Sequence, residues 1–143
     1  MKRILITIVI VGLLLAMQSG CSMPASKQAA TDQAPQVIAG NEMAAIARLR
    51  SIATAEMQYQ LDSGGSYATM DELIKNRLIG DLSEAKLNGY RFDVRVTAGR
   101  FEATAVPVRF GITGKRSFYV DESRIMRGAD RRGEQAVASD PEV

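Results

Sequence analysis

Hydrophobic and polar positions alternate along this chain in three different ways. Residues 4–17 are apolar apart from Thr7 and Gly12. Across residues 41–62 the apolar positions recur every three or four residues, at Ala45, Ile46, Leu49, Ile52, Ala53 and Tyr59. That spacing predicts a helix with one apolar face. From Gly89 the period is two. Tyr90, Phe92, Val94 and Val96 alternate with Arg91, Asp93 and Arg95, and Phe101, Ala103 and Ala105 alternate with Glu102 and Thr104. This is the pattern of an antiparallel hairpin with one buried face.

Local signals set the expected boundaries. Asn41 reads as the N-cap of the long helix, and Glu42 places negative charge at the positive end of its dipole. Gly64-Gly65 closes it, after about 33 Å of helix. Thr69 and Glu72 have the spacing of a capping box. A short amphipathic helix with Leu73, Ile74 and Leu78 follows and ends at Gly80, and residues 81–88 add another helical turn with Leu82 and Leu87 facing in. Thr97-Ala98-Gly99-Arg100 is a hairpin turn. Residues 107–115 form a loop, 116–120 a third strand and 124–127 a short fourth strand. Residues 128–143 are polar and read as a disordered tail. The expected fold is α+β, with one long N-terminal helix packed on a small antiparallel β-meander of three to four strands.

The start of the chain predicts a different kind of segment. Met1-Lys2-Arg3 is a positive n-region, and residues 4–17 suit the apolar h-region of a secretory signal. The stretch is shorter than the roughly 20 apolar residues of a transmembrane helix. An uncleaved membrane anchor is the competing reading. Residues 22–40 hold Pro24, Pro35 and many small polar residues, and predict a flexible linker reaching about 25 Å. Pro35 and Gly40 argue against extending the long helix upstream. The expected organisation is a signal peptide at 1–20, a cysteine and linker at 21–40, a globular domain at 41–127 and a tail at 128–143.

Composition narrows the function classes. The chain has 143 residues, 46% of them hydrophobic, which suits one domain with a packed core. Basic residues number 18 and acidic ones 16, and the two signs balance once Lys2 and Arg3 are set aside. No basic stripe with interleaved aromatics points to nucleic acid. There is no histidine and one cysteine, Cys21. That excludes an intrachain disulfide, a Ser-His-Asp triad and a His/Cys zinc set.

The remaining candidates for chemistry have simpler explanations. Asp71-Glu72 suits helix capping and Asp121-Glu122 suits a turn. Asp121, Glu122 and Asp130 are too thinly spread for a calcium loop. Gly64-Gly65 lacks the strand and lysine of a phosphate cradle. Glu56 falls on the apolar face, seven residues after Leu49. It is expected to reach to water at the stripe edge, in preference to an ion pair with Arg91, Arg95 or Arg116. Tyr59, Tyr67, Tyr90, Phe92, Phe101 and Phe118 read as core. No catalytic residue, metal or cofactor is expected.

Two resemblances add to this reading. Gln18-Ser19-Gly20-Cys21 after the h-region resembles a bacterial lipoprotein signal, although Gln18 stands where such signals usually carry Leu or another aliphatic residue. The resemblance implies cleavage between Gly20 and Cys21 and acylation of Cys21, palmitate being a typical chain. With Ser22 after the cysteine, it implies the outer membrane where a cell has one. The globular segment carries Leu49-Arg50-Ser51-Ile52-Ala53-Thr54-Ala55-Glu56-Met57-Gln58-Tyr59, then Gly64-Gly65-Ser66-Tyr67, Gly89-Tyr90-Arg91-Phe92, Ala105-Val106-Pro107, Gly114-Lys115-Arg116-Ser117-Phe118-Tyr119-Val120-Asp121 and Ile125-Met126-Arg127. In that order these segments resemble the globular domain of type IV pilin-like proteins, including the pseudopilins of type II secretion.

The chain also departs from that family. Pilins place a long apolar helix after a prepilin peptidase site, whereas this chain has a polar segment there. Relatives often carry glycine where this chain has Arg124. The resemblances imply a non-enzymatic envelope lipoprotein, held to the membrane by its lipid, whose pilin-like domain meets other envelope proteins, with a link to type II secretion or type IV pilus machinery. The alternative is a ligand- or metal-binding envelope protein, which a deep pocket with convergent polar groups would favour. Burying Lys27 and Asp32 in a filament axis would be costly, so the chain is not expected to build filaments by the usual pilin route.

Overall fold

The computed structural model of the protein describes residues 26–80 and 89–143, with side-chain surroundings from Ala34 onward. The chain divides into residues 1–30 and a compact unit, Thr31–Val143, and the architecture below is that of the compact unit. A long helix, α1 (Ser26–Asp62), and a short one, α2 (Met70–Lys75), precede four strands: β1 (Tyr90–Thr97), β2 (Arg100–Pro107), β3 (Ser117–Asp121) and β4 (Arg127–Ala129). The strands form one antiparallel sheet in the order β1-β2-β3-β4. The fold is α+β, as the periodicity predicts.

The apolar stripe of α1 and one face of the sheet make the core. Ala45, Leu49, Ile52 and Ala53 are buried together with Tyr90, Phe101, Ala103, Ala105, Phe118 and Val120. Burying each large side chain stabilises by about 1.5–3 kcal/mol. All six aromatics assigned to the core belong to it or pack against it. The β1–β2 register sets Phe92 opposite Ala105, Val94 opposite Ala103 and Val96 opposite Phe101. Ala98 and Gly99 join the two strands with positive φ, +39° and +81°. A tight hairpin turn with right-handed strand twist needs both residues in that region.

The α2 capping box forms as expected. Thr69 Oγ1 accepts from the Glu72 amide, and a Glu72 carboxylate oxygen accepts from the Thr69 amide at 2.8 Å. The predicted helical turn over residues 81–88 lies outside the described residues.

Three expectations are corrected. The long helix does not start at Asn41: it runs from Ser26 straight through Pro35 and Gly40, so residues 26–40 are helix and not a flexible linker. A proline costs a helix interior about 3 kcal/mol, but the surrounding Ala and Gln residues favour helix. Asn41 and Glu42 are also gripped from outside, which fixes the backbone next to Gly40. The fourth strand is Arg127–Ala129 and not 124–127. Asp121 accepts from the Ser123 amide, Ser123 Oγ accepts from the Ile125 amide, and Arg124 turns with φ +62°. Pairing therefore begins only at Arg127.

The tail is ordered. Gly128 N–H donates to Pro141 O and Val143 N–H to Met126 O, so the last residues run antiparallel to the end of the sheet. Asp140 is buried, pairs with Arg131 and accepts from the Val137 amide. A polar composition conceals this segment because its fixed points are charged and backbone groups, with Ala136 its one fully apolar buried residue.

Candidate functional site

At one place the helix is clamped to the loop between β2 and β3. Asn41 Nδ2 donates to Thr113 O at 2.9 Å. Glu42 Oε1 accepts from the Lys115 and Arg116 amides at 3.0 and 3.1 Å, and its Oε2 accepts from Arg116 Nε at 2.9 Å. The Arg116 guanidinium also lies 5.3 Å from the centroid of the Phe118 ring. Burial pushes the Glu42 carboxyl up. The Lys115 amide, the Arg116 guanidinium and the Arg116 amide together more than reverse this, and hold it below the ordinary value. Neither residue acts as sequence position suggests. Asn41 is not a cap, and Glu42 is a long-range ligand of backbone amides instead of a dipole charge.

The loop is itself rigid. Arg109 N–H donates to Thr113 Oγ1, and Thr113 N–H returns to Arg109 O. Tyr90 Oη donates to Arg116 O at 2.7 Å, and Gly114 lies so close to the Tyr90 ring that a Cβ there would overlap it. Between helix and loop runs a groove of about 550 Å³. Its helical wall is Ala34, Pro35, Ile38 and Ala39, and Lys115 and Arg116 lie opposite.

A second cleft, about 320 Å³, lies on the sheet face opposite the helix, beneath the ordered tail. Asp93, Arg95, Glu102, Thr104 and Tyr119 line it together with residues 135–138. Burial raises the Tyr119 hydroxyl, and Asp121 and Glu102 raise it further, so it stays protonated. It donates to Asp121 Oδ2 at 3.2 Å. Thr104 Oγ1 is buried with no hydrogen-bond partner.

The carboxylates weighed from sequence are separated. Glu72 caps α2, Glu122 pairs with Arg100 at 3.4 Å, and Asp130 accepts from the Arg132 amide. Asp121 stands with Tyr119 and Ser123 and not with Asp130. Among the described residues no group of three or more acidic, histidine or cysteine side chains converges on a metal-sized space. Glu56 does not reach water and meets none of the three arginines. It is fully buried, and its Oε2 accepts from the Ala68 amide at 2.9 Å. Gly20 and Cys21, the predicted cleavage and lipidation residues, lie outside the described residues.

No protein-family model matches this chain, and no curated protein is similar to it. Among the described residues no helix is long and apolar enough to cross a membrane.

Sequence reading missed the clamp, the tail and the loop's surface. One signal was present. Val108, Phe110 and Ile112 keep a period of two past Pro107, in the phase of Val106 and opposite to that of Phe101, Ala103 and Ala105, so apolar side chains are due off the core face.

Proposed function

We propose that the protein is a bacterial envelope lipoprotein, acylated at Cys21, whose pilin-like domain is a non-enzymatic interaction or structural module. Supporting the anchor are the apolar stretch 4–17 and Ser19-Gly20-Cys21 behind it. The observation that carries the module is the use made of its buried carboxylates. Glu42, Glu56 and Asp140 each hold backbone amides of a distant or turning segment. They serve as structural fasteners. The domain's partners are then other envelope proteins, with secretion or pilus machinery as the leading class.

The polar composition of residues 26–33, with Lys27 and Asp32, argues against a filament axis built on this segment. Intact mass of the protein extracted from membranes is expected to show an acylated N-terminal Cys21. Crosslinking in cells should then capture envelope proteins through the domain. A mature chain beginning anywhere else, or the protein recovered as a stoichiometric subunit of sheared filaments, would overturn the reading.

A second reading has one observation in its favour. The cleft beneath the tail brings Asp93, Arg95, Glu102 and the unpartnered Thr104 hydroxyl to one space, as a small-ligand site would. Calorimetric titration with polar metabolites tests it. Heat that is lost in Thr104→Val would favour a ligand-binding envelope protein.

A further inference from the structure

The loop between β2 and β3 exposes three large apolar side chains within five residues: Val108 is 60%, Phe110 43% and Ile112 57% exposed. Mobility does not account for this. The loop is closed by its own hydrogen bonds and clamped to the helix by Asn41 and Glu42. A rigid loop that holds such a group in water marks a contact surface. Val37, one helical turn before Asn41, is also exposed.

Charge and position indicate what the surface meets. Arg109 and Lys115 flank the apolar residues and are exposed, and neither forms an ion pair among the described residues. Phe110 packs beside Gly133, so the exposed Arg132 and Glu134 belong to the same end of the molecule, and Asp130 lines the groove with Lys115. The clamp at Asn41 lies seven residues, about 10 Å of helix, after Ala34. Cys21 stands five residues before Ser26, the first residue of α1.

We propose that residues 108–115 are a membrane-contact element. Val108, Phe110 and Ile112 enter the boundary between headgroups and acyl chains, while Arg109, Lys115 and Arg132 meet anionic lipid phosphates. The proposal rests on the lipid-anchor reading above. The lipid supplies attachment, and the loop then orients the domain with its helix–loop groove toward the membrane.

The test uses full-length protein from membranes, returned to vesicles of phosphatidylglycerol and phosphatidylethanolamine after its mass is taken. With Cys21 acylated, Ile112→Cys carries the only free thiol for an environment-sensitive dye. Leu61→Cys is the control, exposed and about 30 Å along the helix from Asn41. Val108→Cys serves if Ile112→Cys does not accumulate. The expected result is blue-shifted emission at 112, quenched by lipid-borne nitroxides, with residue 61 remaining in water. Joint Arg109→Glu and Lys115→Glu substitution should weaken the contact at least roughly fivefold.

Acylated protein with residue 112 as water-exposed as residue 61 overturns this proposal alone. Protein lacking the acyl chain overturns the anchor and this proposal together. A blue shift that grows with protein density instead of lipid contact marks copy-to-copy association, and also overturns it.

Discussion

The Glu56 carboxylate accepts a hydrogen bond from the Ala68 amide at 2.9 Å, twelve residues on, in the floor of the core. It ties the end of the long helix to the segment that leads into α2. Its other oxygen, Oε1, is buried without a partner. Such a group costs stability in its charged form. Burial accordingly raises the Glu56 carboxyl above its ordinary value, the Ala68 amide opposes this, and the charge of Glu72 adds to it.

The sign of the pH dependence follows. Glu56 binds its proton more readily folded than unfolded. Stability therefore falls as pH rises from the ordinary value of 4.5 through the raised folded value. Glu56→Gln keeps an acceptor for Ala68 and removes the charge. It is expected to match or exceed the native protein at neutral pH and to lose that downward slope. Glu56→Ala leaves a cavity and an orphaned amide, and should cost about 2–4 kcal/mol. Urea denaturation across about pH 4–8 separates these outcomes; parallel pH profiles for native and Gln proteins would refute the assignment.

Glu42 behaves in the opposite sense. Its folded value is lowered, so its contribution is present above 4.5 and fades as pH falls through the folded value. Glu42→Ala removes the acceptor of two loop amides and the partner of Arg116. The expected loss is about 2–4 kcal/mol at neutral pH and less in acid. Hydrogen exchange at the Lys115 and Arg116 amides should accelerate in the variant. Unchanged exchange there would show that the clamp depends on Asn41 alone.

The parts legible in the sequence are those with a repeating pattern. The stripe from Ala45 to Ile52, the alternation from Tyr90 to Ala105 and the Thr69–Glu72 box all lie where they were expected, because period and capping are local properties. What was not legible depends on single polar residues acting at long range. Glu42 finds its amides more than seventy residues away. Asp140 fixes a tail whose one buried apolar side chain is Ala136. Pro35 and Gly40 read as helix breakers because local propensity disfavours them, yet tertiary clamping and helix-favouring neighbours prevail.

Two backbone positions test that last point with substitutions in opposite directions. Gly40 lies in the helix with open space where a Cβ would stand. Gly40→Ala should therefore stabilise by about 0.5–1 kcal/mol; in a flexible linker it would do nothing. Arg124 holds a left-handed conformation, φ +62°, which strains a residue with a Cβ. Arg124→Gly relieves that strain and loses some through the freer unfolded chain, for a net gain of up to about 1 kcal/mol. Thermal melts of the two variants and their pair should show additive shifts. A destabilised Gly40→Ala would mean the helix is not continuous there.

The tail depends on Asp140. The Arg131 guanidinium holds its carboxyl below the usual range, burial opposes this, and the Val137 amide lowers it further. Arg127 Nη1 donates to its backbone oxygen at 3.1 Å. In Asp140→Ala the ion pair and the turn over residues 137–140 lose their common acceptor, while the β4 ladder to Ser117 and Phe118 stays intact. The expected outcome is local. The Gly128 and Val143 amides, which bond to Pro141 O and Met126 O, should exchange at least roughly tenfold faster. Limited proteolysis should then cut within residues 131–139, with the core amides of β1 and β2 unaffected. The same release should appear in the native protein as pH falls through the lowered carboxyl value of Asp140. Losing the tail would also bare Thr104 and Tyr119, since residues 135–138 form the outer wall of their cleft. If Asp140→Ala instead unfolds the whole domain in one step, the tail is an integral part of the core and not a separately fastened cover.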